Sequence, residues 1–206
     1  MRCLVIVLAL AGCRDKTPAQ TPKTGSTVVV ASTTDAKPPA KSPPLDAAKA
    51  QQLAQQGVTG WTKTIKLADA KGLELRFDRA PLGVTVQASK CFDCLPMDEA
   101  KWRAKSDALR GLIAPELRDH KDTTWELGIT DLAGVPAAWT YHVGYKPDAH
   151  GTAYTLYFND GTNMIRVVAE FVGASPASRE AMIATAPRET LALTAKQFAD
   201  QFVHAW

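Results

Sequence analysis

The stretch YTLYFNDGTNMIRVVAEFV, from Tyr154 to Val172, decides the fold. Its two halves, residues 154–158 and 164–172, are rich in the aromatic and β-branched residues that are typical of strands. Between them, Asn-Asp-Gly-Thr at 159–162 predicts a tight hairpin turn, because Asp-Gly accepts the positive φ angles that such a turn requires. Strands joined in this way are antiparallel. The stretch therefore predicts an antiparallel sheet.

Further strands lie upstream of this hairpin. Apolar and polar residues alternate with a period of two, which indicates strands with one face buried. The alternating segments are residues 73–77, 84–86, 125–130 and 139–145. Helical patterns separate or follow them, and the sequence therefore predicts an α+β fold in which an antiparallel sheet of about five to six strands packs with helices.

The chain is expected to close with an amphipathic helix over residues 189–206. Leu191, Ala195, Phe198 and Phe202 are spaced i, i+4, i+7 and i+11, which places them on one face of a helix. Other predicted helices cover residues 46–56, residues 98–113 with Asp98 as the cap and a break at Pro115, and residues 178–186. Residues 46–206 are thus predicted to form a single domain.

The domain resembles the PsbP-like fold in its element order. The run Leu132-Ala133-Gly134-Val135-Pro136-Ala137 is followed by an aromatic-rich strand, a hairpin and a closing helix. The resemblance covers roughly residues 70–206. It implies a fold shared by extrinsic photosystem proteins and many bacterial lipoproteins, whose members mostly bind or scaffold partners. The resemblance brings no shared catalytic set, and no functional residue is carried over from it.

The amino terminus has the pattern of an export signal. Arg2 precedes an apolar run of nine residues, Cys3 to Ala11, and Leu-Ala-Gly-Cys at 10–13 resembles the lipobox of bacterial lipoproteins. The resemblance implies that residues 1–12 are a signal peptide and that Cys13 carries diacylglycerol and an amine-linked acyl chain such as palmitate. Two or more chains hold a protein stably on a bilayer. The alternative is an ordinary signal peptide in which the cysteine occurs by chance.

Residues 13–45 are predicted to be a disordered tether after the lipidated cysteine. They contain six prolines and no aromatic residue, so they cannot bury enough apolar surface to offset the entropy of ordering. A flexible chain of this length spans about 30 Å. The anchor and tether together predict location at the cell membrane or outer membrane, with the folded domain in the periplasm or at the cell surface.

The charge of the chain is concentrated in the tether. Residues 14–49 hold six basic and three acidic residues, and this surplus of three equals the net charge of +3 of the whole chain. The folded part is therefore close to neutral and gives no support to nucleic-acid binding, which requires a basic face on the domain. The expected partners are the membrane, through the anchor, and an envelope protein or cell-wall polymer.

Cys91 and Cys94 form a C-x-x-C pair between a predicted strand and a predicted helix. Three interpretations stay open. A local structural disulfide fits an oxidising compartment and is favoured. Thiol–disulfide exchange fits the strand, C-x-x-C, helix order. Half of a zinc site would need two more ligands, and the four histidines, His120, His142, His150 and His204, are not paired at metal-binding spacing.

The remaining candidates favour structural roles. Core and sheet packing is the commoner use of aromatic residues, although one set could also form a binding face: Trp139, Tyr141, Tyr145, Tyr154 and Tyr157. The chain has no nucleophile elbow, zinc-protease motif, P-loop or dinucleotide fingerprint. The sequence therefore predicts a lipid-anchored envelope protein that binds or scaffolds another envelope component, without catalysis, cofactor or metal. The alternative is a thiol–disulfide redox protein that uses Cys91 and Cys94.

Overall fold

The computed structural model describes residues 43–91 and 97–205, which belong to one compact unit. The predicted signal peptide, the lipidation site Cys13 and the tether as far as residue 42 lie outside the described residues. Cys94 lies outside them too.

Within the described residues, seven strands form one antiparallel sheet in the order β1-β2-β3-β7-β6-β5-β4. Two meanders, β1 to β3 and β4 to β7, are joined because β7 pairs with β3 from Leu82↔Phe171 to Lys90↔Asn163. The strands are β1 (Thr62–Asp69), β2 (Gly72–Arg79), β3 (Leu82–Lys90), β4 (Thr124–Leu132), β5 (Val135–Lys146), β6 (Ala149–Asn159) and β7 (Asn163–Phe171).

Six helices accompany the sheet in the same part of the chain. One precedes the sheet, three connect the two meanders, and two follow β7. They are α1 (Ala47–Ala54), α2 (Glu99–Ala104), α3 (Ser106–Arg110), α4 (Pro115–Arg118), α5 (Arg179–Thr185) and α6 (Arg188–His204). Asp46 caps α1 by accepting a hydrogen bond from the Lys49 backbone N–H at 2.7 Å.

One face of the sheet, here called the covered face, packs against α1 and α6 and holds the main core. The four apolar residues predicted for the last helix are all buried on the inner side of α6, which confirms that prediction. Phe198 lies edge-on to Trp61 and Phe77, with ring centroids 5.1 Å and 4.9 Å apart. Burying each such side chain contributes about 1.5–3 kcal/mol.

The opposite face is divided into two halves. Over β4, β5 and β6 it is packed by α2, α3 and α4, where Trp102 lies against Tyr157 and donates from Nε1–H to the Pro136 carbonyl at 2.9 Å. Over β1, β2, β3 and β7 it carries mainly polar and charged side chains. We call this second half the open surface; it is formed by Thr64, Leu67, Glu74, Arg76, Asp78, Thr85, Gln87, Met164, Arg166 and Glu170.

The predicted α+β class with an antiparallel sheet and a closing helix is confirmed. The sheet has seven strands rather than five to six, because β1 was not predicted. Its sequence, TKTIKLAD, lacks a clear apolar alternation, and its residues are mostly exposed because β1 is an edge strand that packs little against the core.

The predicted continuous helix over residues 98–113 is wrong. It is divided into α2 and α3 at Lys105, whose φ and ψ of −91° and 6° lie outside the helical range. Trp102 in α2 and Leu109 in α3 are buried, and the mostly exposed residues between them lack the packing that stabilises a longer helix. Pro115 begins α4, a position where its missing N–H is not needed.

Candidate functional site

The first described residues of the chain are held at the start of β7. The Asn163 side chain, 1% exposed, accepts a hydrogen bond from the Leu45 backbone N–H and donates one to the Pro43 carbonyl, both at 2.9 Å. Leu45 itself is buried in the main core. Residues 43–45, which the sequence assigns to the end of the predicted tether, are thus fixed to the sheet at the β6–β7 turn.

Cys91 lies beside this junction, one residue after β3. Its backbone N–H donates to the Thr162 carbonyl at 2.8 Å, and the Asn159 amide Nδ2–H donates to its Sγ at 3.5 Å. Cys91 is disulfide-bonded. Because Cys94 lies in the stretch 92–96 that the structure does not describe, the pairing of Cys91 with Cys94 stays a prediction.

The position of Cys91 in the fold determines whether a helix dipole could activate its thiol. A thiol at a helix N-terminus is activated by the helix dipole, but Cys91 follows a strand, and α2 begins eight residues later. The N-terminus of α2 is already occupied by Asp98, whose carboxylate accepts a hydrogen bond from the Lys101 N–H at 2.8 Å. This hydrogen bond, with the ion pair to Lys101, lowers the pKa of Asp98. The arrangement favours a structural role for Cys91.

The open surface carries two networks of side chains across its strands. In the first, Arg76 donates to Asp78 at 2.8 Å and to Thr85 at 3.0 Å, and it forms an ion pair with Glu170. Its side chain lies over Gly83, where a Cβ would collide with the guanidinium. Desolvation lowers the pKa of Arg76, but the hydrogen bonds and charges of Glu170 and Asp78 outweigh it, so the pKa is raised. The charge of Arg76 is therefore satisfied within the surface.

The second network follows the strand register through Glu74, Gln87, Arg166 and Tyr157. Gln87 bridges it: its amide donates to Glu74 at 3.0 Å, and its oxygen accepts from Nη1 of Arg166 at 3.3 Å. The guanidinium carbon of Arg166 lies 5.9 Å from the centre of the Tyr157 ring. Among the described residues, Arg166 has no carboxylate partner, and its Nε–H is buried without an acceptor.

A groove of about 270 Å³ lies at the end of the open surface next to Asn163. It is lined by the side chains of Leu67 and Met164 and by polar groups of Lys71, Glu74, Gln87, Ser89 and Arg166. Leu73 and Ala88, whose side chains belong to the core of the covered face, border it with their backbone. Leu67 and Met164 are each 37% exposed. The groove therefore combines apolar walls with a cation that lacks a counter-charge.

His142 lies on the same face as Arg166, in the half of that face that α2, α3 and α4 pack. In the strand register it pairs with Trp125 of β4 and Ala153 of β6. Desolvation, assisted by the positive charge of Arg166, lowers its pKa from 6.5 to about 4. His142 is therefore neutral at pH 7.

The other predicted metal candidates are scattered. His120 lies 4.0 Å from Asp122, His150 lies between the rings of Tyr145 and Phe171, and His204 ends α6. Across residues 43–91 and 97–205, no three His, Cys, Asp or Glu side chains come together in a way that would hold a metal ion.

The predicted aromatic set does not form one surface. Trp139, Tyr141, Tyr145 and Tyr154 lie on the covered face, whereas Tyr157 lies on the opposite one. Trp139 stacks on Tyr154 at 5.4 Å, and Arg188 of α6 lies 5.0 Å from the centre of the Trp139 ring.

Burial of the Tyr154 hydroxyl in this packing raises its pKa to about 12. Glu126 neutralises Arg188 through an ion pair of 2.9 Å. The rings on the covered face therefore serve the packing of the sheet against α6.

Sequence analysis missed Arg166 and its groove. The available signal was the polar side of the 164–172 strand, on which Arg166 alternates with buried neighbours. Recognising its surroundings required the pairing of β7 with β3, which brings together Gln87 and Arg166, 79 residues apart in the chain.

The chain matches no family model, and no curated protein matches it. Among the helices of residues 43–91 and 97–205, none has the length and apolar character of a membrane-spanning segment.

Proposed function

We propose that this chain is a lipid-anchored cell-envelope protein whose domain binds or scaffolds another envelope component through the open surface. The proposal rests on the division of one sheet face into two halves. Helices α2, α3 and α4 pack against one half, whereas the main helix contacts of the described residues do not cover the other. The open half is an ordered array of donors, acceptors and charges, held by hydrogen bonds between neighbouring strands.

The edge of the open surface supplies the apolar contacts that a protein partner uses. Leu67 on β1 and Met164 on β7 are large hydrophobic residues of the open surface, each 37% exposed, and both border the same groove. An exposed apolar cluster with a polar surround is typical of an interaction site. The unpaired edge of β1 adds backbone donors and acceptors that an extended segment of a partner can meet.

The amino-terminal region agrees with this role. A lipid at Cys13 and a long tether would keep the domain near a membrane, and the fixed junction at Asn163 would determine which end of the sheet the tether leaves from. A tethered domain meets a partner in the same envelope at a raised effective concentration.

Photo-cross-linking in intact cells tests the proposal. A photo-reactive residue replaces exposed Thr64 on the open surface or, as the matched control, exposed Lys196 on the outer side of α6. We expect a discrete protein adduct in the membrane fraction from position 64 and not from position 196. Adducts from position 196 alone, or from neither position, would contradict it.

Thiol–disulfide exchange is the second candidate, and one contact favours it. The hydrogen bond from Asn159 to Cys91 Sγ would stabilise a thiolate after reduction. A reduction potential between about −270 and −120 mV, with turnover of insulin disulfides, would establish exchange. A potential below about −300 mV would assign the bond to structure.

A further inference from the structure

The groove beside Arg166 has the features of a small-ligand site. It lies at the end of the open surface next to Asn163, because Ser89 and Met164 in its wall pair with each other beside the Lys90–Asn163 pair. Its side chains come from β1, β2, β3 and β7 and from the turn at Lys71. The groove therefore forms where the two meanders join through the pairing of β3 with β7.

Arg166 supplies the recognition chemistry. An arginine has five N–H donors, and among the described residues only one of them, on Nη1 of Arg166, has an acceptor, the Gln87 oxygen at 3.3 Å. Glu74, the nearest acid in the row, is already bonded to Gln87. A half-buried cation without a counter-charge is unusual, since buried charges are ordinarily paired.

Arg76 provides the internal comparison. It lies on the same surface and is bonded to two carboxylates and a hydroxyl, whereas Arg166 is bonded to one amide. The two arginines thus lie on the same surface, and they differ in the number of their N–H donors that have an acceptor.

We propose that this groove binds the oxyanion of a small amphiphilic molecule, a carboxylate or phosphate, with Arg166 as the residue that recognises it. A guanidinium holds such groups through two parallel N–H···O bonds. Leu67 and Met164 pack against the apolar part, and Lys71 at the rim adds a second positive charge. The inference deepens the proposed function, on which it rests, by naming the ligand chemistry of the open surface.

The test uses the full chain, expressed from Met1 and purified in non-ionic detergent in the form that the cell produces. Hexanoate is titrated and followed by NMR at the Arg166 Nε–H, whose burial slows its exchange with solvent. We expect saturable shifts at this signal and at the Gln87 and Ser89 amides. Hexanol, which has the same length without the charge, is expected to leave the Nε–H signal in place.

Variants assign the effect to Arg166. R166Q is expected to weaken hexanoate binding about tenfold or more, since it removes charge-assisted hydrogen bonds. R166K, which keeps the charge but loses the paired geometry, is expected to fall between R166Q and the unmodified chain. The matched control R76Q is expected to bind within about twofold of the unmodified chain, because Arg76 does not line the groove.

A second arm separates a free ligand from a lipid headgroup. Micelles that contain an anionic phospholipid replace hexanoate, with a neutral phospholipid as control. Shifts with anionic micelles but not with hexanoate support recognition of a headgroup; shifts with hexanoate support a free anion. Absence of saturable shifts in both arms, equal shifts with hexanol, or binding that R166Q leaves unchanged would overturn the inference.

The outcomes distinguish this inference from the proposed function. If the cross-link from position 64 forms and the Arg166 signal responds to no anion, the inference alone fails. If hexanoate binds and no cross-link forms, the partner-binding function fails and the anion site remains.

Discussion

The covered face and the open surface are built from the same strands, and they differ in how their side chains are satisfied. On β2, Leu75 and Phe77 point into the core, whereas Arg76 between them belongs to the open surface. The covered face is stabilised by burial of apolar groups, and each position depends on the shape of its neighbours. The open surface is ordered by hydrogen bonds and ion pairs, which contribute little net free energy in contact with water.

This contrast between the two faces indicates that a binding function belongs to the open surface. A tightly packed face tolerates few changes, and it has little area for a partner. The open surface is held by interactions that are individually weak, so its residues can change partners at small cost to the fold. The following predictions test this contrast, beginning with the largest expected effect.

Truncation of Phe198 should destabilise the covered face most. Phe198 is fully buried and contacts the rings of Trp61 and Phe77. We expect F198A to lower the free energy of unfolding by about 3–5 kcal/mol, measured by urea denaturation. The control L193A, on the same helix at a position 71% exposed, should change it by about 0.5 kcal/mol or less. Equal effects of both variants would refute the assigned packing of α6.

Acidification should destabilise the domain through His142. Its folded pKa of about 4 lies below its ordinary value of 6.5, so between these pH values the unfolded chain binds a proton that the folded chain does not. The free energy of unfolding therefore falls as pH drops from 6.5 to 4, by about 3 kcal/mol from this group.

The measurement is urea denaturation at a series of pH values. H142N should show a correspondingly shallower decline over the same interval, whereas the control H204N, at an exposed position in α6, should keep the slope of the unmodified chain. An unchanged slope in H142N would show that other groups cause the decline.

Filling Gly128 should disturb the aromatic packing at the β4 edge. The indole of Trp139 lies where a Cβ at Gly128 would stand, and it is held by Tyr154 and Arg188. We expect G128A to cost about 1–3 kcal/mol, with a change in tryptophan fluorescence. The control G57A, where nothing lies within 4 Å of the new methyl group, should be neutral or slightly stabilising. Neutral behaviour of G128A would show that the indole moves away freely.

Removal of Arg76 should have the smallest effect on stability. Its partners Asp78 and Glu170 are about half and one-third exposed, so solvent screens both ion pairs. We expect R76Q to lower the free energy of unfolding by about 1 kcal/mol or less, with the difference reduced in 1 M salt. A salt-independent loss comparable to that of F198A would mean that the open surface is part of the core.

Much of the covered face could be predicted from the sequence, because burial imposes a period on apolar residues. The alternation of Leu73, Leu75 and Phe77 and the helical spacing of Leu191 to Phe202 are local patterns with one structural solution. β1 was missed because an edge strand buries little and needs no such pattern. The break at Lys105 was missed because a helix with few buried residues is not fixed by its periodicity.

The candidate site could not be predicted in the same way. Glu74, Gln87 and Arg166 are separate polar residues in the sequence, and they become one row only because β3 pairs with both β2 and β7. The β3–β7 pairing is a long-range choice that no local pattern encodes. The junction of Asn163 with Pro43 and Leu45 likewise spans about 120 residues.

The intact mass of the chain, purified from the membrane fraction of its own cells, is the sharpest test of the proposal that lipid holds a binding domain on a membrane. We expect a polypeptide that begins at Cys13 and carries the added mass of a diacylglyceryl group, with or without a further acyl chain. A polypeptide that begins at Met1 without added acyl mass and is recovered with the cytosolic fraction would contradict it.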